Sequence, residues 1–186
     1  MDTLNNKDTT DEEMATLVDE VMRGERLLLF PPGTLISSFF VPALSIGAVS
    51  LSFMVSAYQF PLQGGLQDHQ GLMSLVIPLA LALILMAAGS IGFIFIIKGH
   101  SEFRSRLFWY VRGLIFCALI FMIFAIANLI EVPLTMCIIS VIALTVSHYI
   151  LASWSFLCFS SFFSLKREYR ENTKKARIKV LGHRKP

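Results

Sequence analysis

The sequence predicts an all-α membrane protein: a four-helix transmembrane bundle with an N-terminal cytoplasmic amphipathic helix and a basic C-terminal tail. Two observations carry this prediction. Of the 186 residues, 55% are hydrophobic and only 16% are charged, whereas about 25% of the residues in an average soluble domain are charged. The apolar residues also gather in four long runs, and runs of about 18 or more are typical of membrane spans. This composition excludes a disordered chain and a typical soluble enzyme.

The four apolar runs predict spans at residues 35–59, 72–97, 107–130 and 134–163. At a rise of about 1.5 Å per residue, each run is long enough to cross a hydrocarbon core of about 30 Å. Helices are expected because backbone polar groups in lipid must be satisfied within their own segment. The fourth run is the longest, so we expect it to tilt or to project into water at its end.

The positions of Lys and Arg predict the orientation of the spans. Residues 1–34 carry three basic residues, residues 98–106 carry three and residues 164–186 carry nine. The connections at 60–71 and around Glu131 carry none. Because cytoplasmic loops are enriched in Lys and Arg, we expect both termini and the 98–106 loop in the cytoplasm. The short loops favour a bacterial inner membrane as the location.

The N-terminal segment, residues 1–34, is acidic and contains one amphipathic helix. Its eight acidic residues against three basic ones are the reverse of a signal peptide. Thr10-Asp11-Glu12-Glu13 is typical of a capping box, and Pro31-Pro32-Gly33 is expected to end the helix. Two roles stay open for its apolar face: docking onto a partner, or folding back onto the protein's own bundle. That interaction face consists of Met14, Leu17, Val18, Val21 and Met22.

The tail from residue 164 has nine basic residues against two acidic ones. Near an anionic membrane surface, each basic residue contributes about 1 kcal/mol to binding. We therefore expect the tail to bind anionic lipid or a protein partner, the acidic N-terminal helix included, and not nucleic acid. The candidate residues are Lys166, Arg167, Arg170, Lys174, Lys175 and Arg177.

The predicted spans contain few groups that could do chemistry. No Asp or Glu lies deep in a span, and His148 is the only histidine in one, near the middle of the fourth. We therefore predict no catalytic residue, no cofactor and no metal site, since haem ligation by two histidines would need a second one. The fourth helix has a polar face, which either lines a polar path or, as we favour, serves ordinary helix packing. That face consists of Ser140, Ser147, His148 and Ser155.

Small residues predict where helices approach each other closely. The first span offers Ala48, Ser52 and Ser56, and the second offers Ala88 and Gly92. Arg112 follows Trp109 near the start of the third span. It has two interpretations, an interfacial anchor that snorkels to the membrane surface or a functional residue, and we favour the anchor.

These features predict a non-enzymatic interaction protein of the inner membrane. It would be a subunit of an envelope complex or an immunity-type protein that blocks a membrane-active toxin. In size and span number alone, the chain is similar to the small four-span immunity proteins of bacteria. The alternative is an oligomeric channel or transport subunit that uses the polar face of the fourth helix. The expected partners are the lipid bilayer and another membrane protein, or further copies of this chain.

Overall fold

The computed structural model describes residues 11–59, 70–127, 129 and 132–182, without the side chains of Asp11 and of residues 56–59, 70–75 and 177–182. The described residues form helices and no strand. The helices are α1 Asp11–Arg23, α2 Thr34–Ser38, α3 Phe40–Gln59, α4 Gln70–Ile97, α5 Glu102–Ile126, α6 Leu134–Ala152 and α7 Trp154–Gly182.

Four stretches are long and apolar enough to cross a membrane: Thr34–Val55, Val76–Ile97, Glu102–Ile126 and Leu134–Ala152. This confirms the predicted all-α membrane bundle and its four spans. The central pair is α3 and α6, which pack extensively against each other. In the spans of this pair, 44% and 39% of residues are buried, against 17% and 22% in α4 and α5. The outer pair therefore presents most of the protein surface within the membrane.

The fourth predicted span is divided in the structure, so the prediction of one helix over 134–163 is wrong. Helix α6 ends at Ala152, and Ser153 has an extended backbone with ψ of 149°. The Ser153 hydroxyl then accepts a hydrogen bond from the Phe156 backbone N–H at 3.2 Å, which caps the start of α7. The physical cause of the break is thus a serine N-cap inside an uninterrupted apolar run.

Helix α1 also ends earlier than predicted. Gly24 has a φ of +77°, and its N–H donates to Val21 O at 3.3 Å while Glu25 N–H donates to Glu20 O at 3.0 Å. These two bonds form a Schellman motif, which satisfies the last carbonyls of the helix. Gly24, and not Pro31-Pro32-Gly33, therefore terminates α1.

One end of the bundle carries the turn at 98–101, the start of α5, the end of α6 and all of α7; we call it the basic end. Phenylalanine rings join α3, α4 and α7 there. The Phe93 ring stacks on Phe40 at 5.8 Å and on Phe159 at 5.9 Å between centroids. Gly99, with a φ of +88°, lets the turn approach α7 closely, because a Cβ there would lie 2.6 Å from the Phe163 carbonyl oxygen.

Candidate functional site

The predicted polar face of the fourth helix is divided by the break at Ser153. Ser140 and Ser147 are fully buried in α6, whereas Ser155 lies in α7, where its carbonyl contacts Gly33. Ser140 Oγ donates to Gly47 O at 3.2 Å, across to α3. Ser147 Oγ donates to Ala143 O at 3.0 Å, within its own helix. These hydroxyls are bonded to backbone carbonyls in the packed interior, as the packing interpretation expects.

The small residues predicted for close packing have different surroundings. Ala48 and Ser52 are fully buried in α3, the central helix that packs on α6. Gly92 is buried against Leu107 of α5, but Ala88, one turn earlier, is exposed. The side chain of Ser56 lies outside the described residues.

Two glycines that the sequence analysis did not single out allow the closest approaches between spans. A Cβ on Gly47 would lie 2.7 Å from both Cδ2 and Cγ of Leu144 in α6. A Cβ on Gly89 would collide with Leu44 Cδ2 of α3. Pattern alone does not find such positions, because they depend on which helices become neighbours.

His148 lies one turn before the end of α6, and not near the middle of a span as predicted, because the helix ends at Ala152. Arg112 Nε donates to His148 Nε2 at 3.3 Å. The Arg112 guanidinium carbon lies 4.5 Å from the ring centroid of Phe108 and 5.3 Å from that of Trp109. The rings of Phe108 and His148 are themselves 4.4 Å apart. We call these four residues the Arg112 cluster.

The Arg112 cluster lies on the outer surface of α5 and α6. Arg112 is exposed and His148 is half-buried. The rings of Phe108 and Trp109 therefore hold the guanidinium at the protein surface. Among the described residues, no carboxylate oxygen lies within 4.0 Å of the Arg112 guanidinium. Arg112 is thus a cation within a span that contacts two rings and an imidazole, and no acidic side chain of the described residues pairs with it.

A second arginine of α5 has a structural role that charge counting did not reveal. Arg104 Nε and Nη2 each donate to Leu151 O at 3.2 Å. Leu151 lies in the last turn of α6, where carbonyls lack partners within the helix and the helix dipole attracts cations. Arg104 therefore caps the C-terminal end of α6, just before the break at Ser153.

The apolar face of α1 is covered by the protein itself. Met14, Leu17 and Val18 are buried against Cys158 and Phe162 of α7. Val21 and Met22 are partly buried in the same cluster. Of the two roles left open for this face, folding back is the one that the structure displays.

The acidic face of α1 is balanced locally. Asp19 bonds Arg23 at 2.5 Å, and Glu20 bonds Arg26 at 3.4 Å. The hydrogen bond that Arg23 donates to Asp19 raises the pKa of the Arg23 guanidinium above its ordinary value. These acids therefore pair with basic residues of the N-terminal segment, and α1 joins the tail helix through apolar contacts.

The basic residues of the tail do not all lie together. Lys166, Arg167, Arg170 and Lys174 line a cavity at the basic end, whereas Lys175 is exposed outside it. The side chain of Arg177 lies outside the described residues.

Arg167 joins α7 to the turn after α4. Its Nε donates to Glu171 Oε1 at 2.8 Å, and its Nη1 lies 2.8 Å from His100 Nδ1. The hydrogen bond from Arg167 lowers the pKa of the Glu171 carboxyl, and the charges of Arg167 and Lys175 add to this effect.

In the part of the chain that the structure describes, no three His, Cys, Asp or Glu side chains are grouped as metal ligands would be.

Comparisons with protein-family models, with curated proteins and with solved structures find no match to this chain.

Proposed function

We propose that the protein is a non-enzymatic multi-pass membrane protein that binds another membrane protein within the bilayer, through the outer face of α5 around the Arg112 cluster. The observation that carries this proposal is an exposed guanidinium within a span, without a carboxylate partner among the described residues. Ionisable residues within membrane spans are costly and are usually paired. A partner span that supplies a carboxylate would complete the pairing.

Two of the other predicted interaction surfaces are occupied within the protein itself. The small residues of α3 and α6 are buried in the central pair, and the apolar face of α1 is covered by α7. The outer faces of α4 and α5 remain, and the face of α5 carries a cation. Trp109, Arg112 and Phe116 lie on one side of α5 at spacings of three and four residues. All three are exposed, so they form a continuous surface that another helix can contact.

Snorkelling is the competing explanation for Arg112. A charge at the centre of a span costs about 2.5–3.5 kcal/mol on insertion scales, and a long side chain reduces this cost by reaching the membrane surface. Arg112 lies beside His148, one turn before the end of α6, so the cost at its position is lower than at the centre. The structure favours a partner because the guanidinium is stacked on Phe108 and Trp109 and bonded to His148. Those contacts hold the group in one orientation, which suits recognition better than free reach towards water.

We propose the same orientation as the sequence predicts, with the basic end in the cytoplasm of a bacterial cell and the spans in the inner membrane. The absence of Lys and Arg from 60–71 supports it. Topology reporters fused after residues 102 and 186 are expected inside, and a reporter fused after residue 66 is expected outside. A cytoplasmic signal at residue 66 would overturn this orientation.

The partner is either another subunit of an envelope complex or a membrane-active toxin that this protein blocks. Both kinds of partner would bind the same surface of α5, so the identity of the bound protein distinguishes between them. The channel alternative receives less support, because the hydroxyls of Ser140 and Ser147 are bonded to carbonyls in the packed interior.

Site-specific crosslinking in membranes of the source organism tests the proposal. A photo-crosslinking amino acid replaces Phe116 on α5 or, as the control position, Ile84 on α4; both side chains are 65% exposed. We expect one discrete protein adduct from position 116 and only lipid adducts from position 84. Equal adducts from both positions, or none but lipid, would contradict the assignment of this face.

Substitutions at arginine sharpen the same experiment. Arg112→Gln should remove the adduct from position 116 without lowering the membrane level of the protein. Arg106→Gln is the matched control, because Arg106 is on the same helix and lies 4.8 Å from the Phe103 ring. His148→Asn should keep the adduct, since its amide oxygen can accept from Arg112 Nε. If the adduct persists in Arg112→Gln, the guanidinium is a membrane-surface anchor and does not bind the partner.

A further inference from the structure

A cavity of about 350 Å³ lies at the basic end, between α7 and the turn that follows α4. Volumes of about 300–1,000 Å³ are typical of small-molecule sites. Five basic side chains line this cavity: Lys98, Lys166, Arg167, Arg170 and Lys174. So many cations around one small volume attract an anion strongly.

In the described part of the chain, acidic side chains compensate only part of this charge. Glu171 also lines the cavity, and its carboxylate is bonded to Arg167. Among the described residues, no carboxylate oxygen lies within 4.0 Å of the nitrogens of the other four cations. The ammonium groups of Lys98 and Lys166 instead lie 5.9 Å from the centroids of phenylalanine rings.

The rest of the lining is apolar. Ile97 and Phe163 form this part of the wall. Ile97 is the last residue of the span Val76–Ile97, so the cavity lies where the hydrocarbon region ends. One and two turns earlier on α4, Ile94 and Ile91 are exposed at the protein surface.

We infer that this cavity binds the phosphate group of an anionic phospholipid, whose acyl chains lie along Ile94 and Ile91. Basic pockets between transmembrane helices on the cytoplasmic side are suited to lipid headgroups. A free phosphate shares the headgroup's chemistry, but it makes no use of the apolar wall. Lys98 belongs to the turn, and the other four cations belong to α7, so the bound lipid joins these two elements. This inference does not depend on the partner proposed for α5.

Native mass spectrometry of the full-length protein in detergent tests the inference, with phosphatidylglycerol and phosphatidylcholine of the same acyl chains as probes. We expect one phosphatidylglycerol per protein, bound at least about tenfold more tightly than phosphatidylcholine, since each nearby cation contributes roughly fivefold. Lys98→Gln combined with Lys174→Gln should weaken phosphatidylglycerol binding about tenfold or more. Arg170→Gln alone should weaken it roughly fivefold.

The matched control combines Arg106→Gln with Lys175→Gln. Both of these residues are exposed and neither lines the cavity. The control has the same net charge as the cavity double variant. It should bind phosphatidylglycerol within about twofold of the wild type, because neither charge lines the cavity and salt screens exposed charges. Thermal unfolding in detergent checks that every variant is folded.

Three results would overturn the inference. Equal losses in the two double variants would mean diffuse attraction by net charge. Equal affinity for phosphatidylcholine would mean that the anionic headgroup is not recognised. Competition by inorganic phosphate at concentrations equal to the lipid would mean that the cavity is a site for a soluble anion.

Discussion

The contact between α3 and α6 and the outer face of α5 use polar residues in opposite ways. In the central pair, Ser52 and Ser140 are fully buried and donate to carbonyls. On α5, Arg112 and Trp109 are exposed, and their polar and aromatic groups gather at the surface. Hydroxyls bonded to carbonyls between small residues therefore serve packing inside this protein, whereas the exposed cation of α5 is the basis of the partner contact proposed above.

The packing of α3 against α6 is tested first at Gly47, where the largest effect is expected. In Gly47→Leu the new side chain would begin 2.7 Å from Leu144 Cδ2 and Cγ and 3.4 Å from the Leu144 backbone N, so Leu144 or α6 itself must shift. Overpacking of this kind costs about 1–3 kcal/mol, and we expect the upper end because α3 and α6 are the central pair. Unfolding by SDS in mixed micelles measures the loss.

Gly113→Leu is the control for Gly47, because nothing lies within 4 Å of a Cβ at that position on α5. It should unfold at the same SDS fraction as the wild type or at a higher one, since Leu favours helix over Gly. Equal destabilisation by the two substitutions would mean that α3 and α6 do not meet as described.

The next largest effect is expected at Arg104. Arg104→Gln removes two charge-assisted bonds to Leu151 O, and hydrogen bonds to charged groups contribute about 1.5–3 kcal/mol. We expect a loss of about 2 kcal/mol in the same SDS titration. Arg106→Gln, on the exposed side of the helix, should change stability by less than about 0.5 kcal/mol. If both substitutions lower the stability equally, Arg104 does not cap the C-terminal end of α6.

A smaller difference separates the two buried serines of α6. Ser140→Ala removes a bond between helices and should cost about 0.6 kcal/mol, the average for such bonds in membranes. Ser147→Ala removes a bond within one helix, to a carbonyl that already accepts from the backbone, so its cost should be close to zero. A larger cost for Ser147→Ala would point to a role for its hydroxyl beyond packing.

The smallest effect concerns Glu171, a paired charge in contrast to Arg112. Because Arg167 lowers the pKa of Glu171, the pair stabilises the folded protein above the ordinary carboxyl pKa, and this is lost as the pH falls through the lowered value. Carbon-detected NMR titration of Glu171 should give a midpoint below that of a free glutamate. Arg167→Gln should return the midpoint towards the ordinary value; an unchanged midpoint would contradict the pairing.

Sequence patterns were sufficient for features that repeat over many residues. Four apolar runs predicted the four spans, and the spacing of Met14, Leu17 and Val18 predicted a helix with one apolar face. The break at Ser153 was not predicted, because the run stays apolar on both sides and one capping hydroxyl decides the outcome. The predicted position of His148 near the middle of a span was wrong for the same reason, because α6 ends at Ala152.

The candidate sites depended on which elements become neighbours, which no local pattern contains. Arg112 and His148 are 36 positions apart, and Lys98 and Lys174 line the same cavity from separate elements. The sequence identified Arg112 and the basic tail as unusual. The sequence did not reveal that Arg112 is stacked on two rings. Nor did it reveal that the basic tail and the turn after α4 line one cavity.

Charge reversal tests the central claim most directly, once the partner span has been identified by crosslinking. Arg112→Asp should abolish recovery of the partner from detergent-solubilised membranes, while the protein itself inserts at its normal level. Replacing the facing carboxylate of the partner by arginine should restore recovery with Arg112→Asp and impair it with the wild type. Full recovery of the partner with Arg112→Asp alone would contradict the account, because the guanidinium would then have no part in recognition.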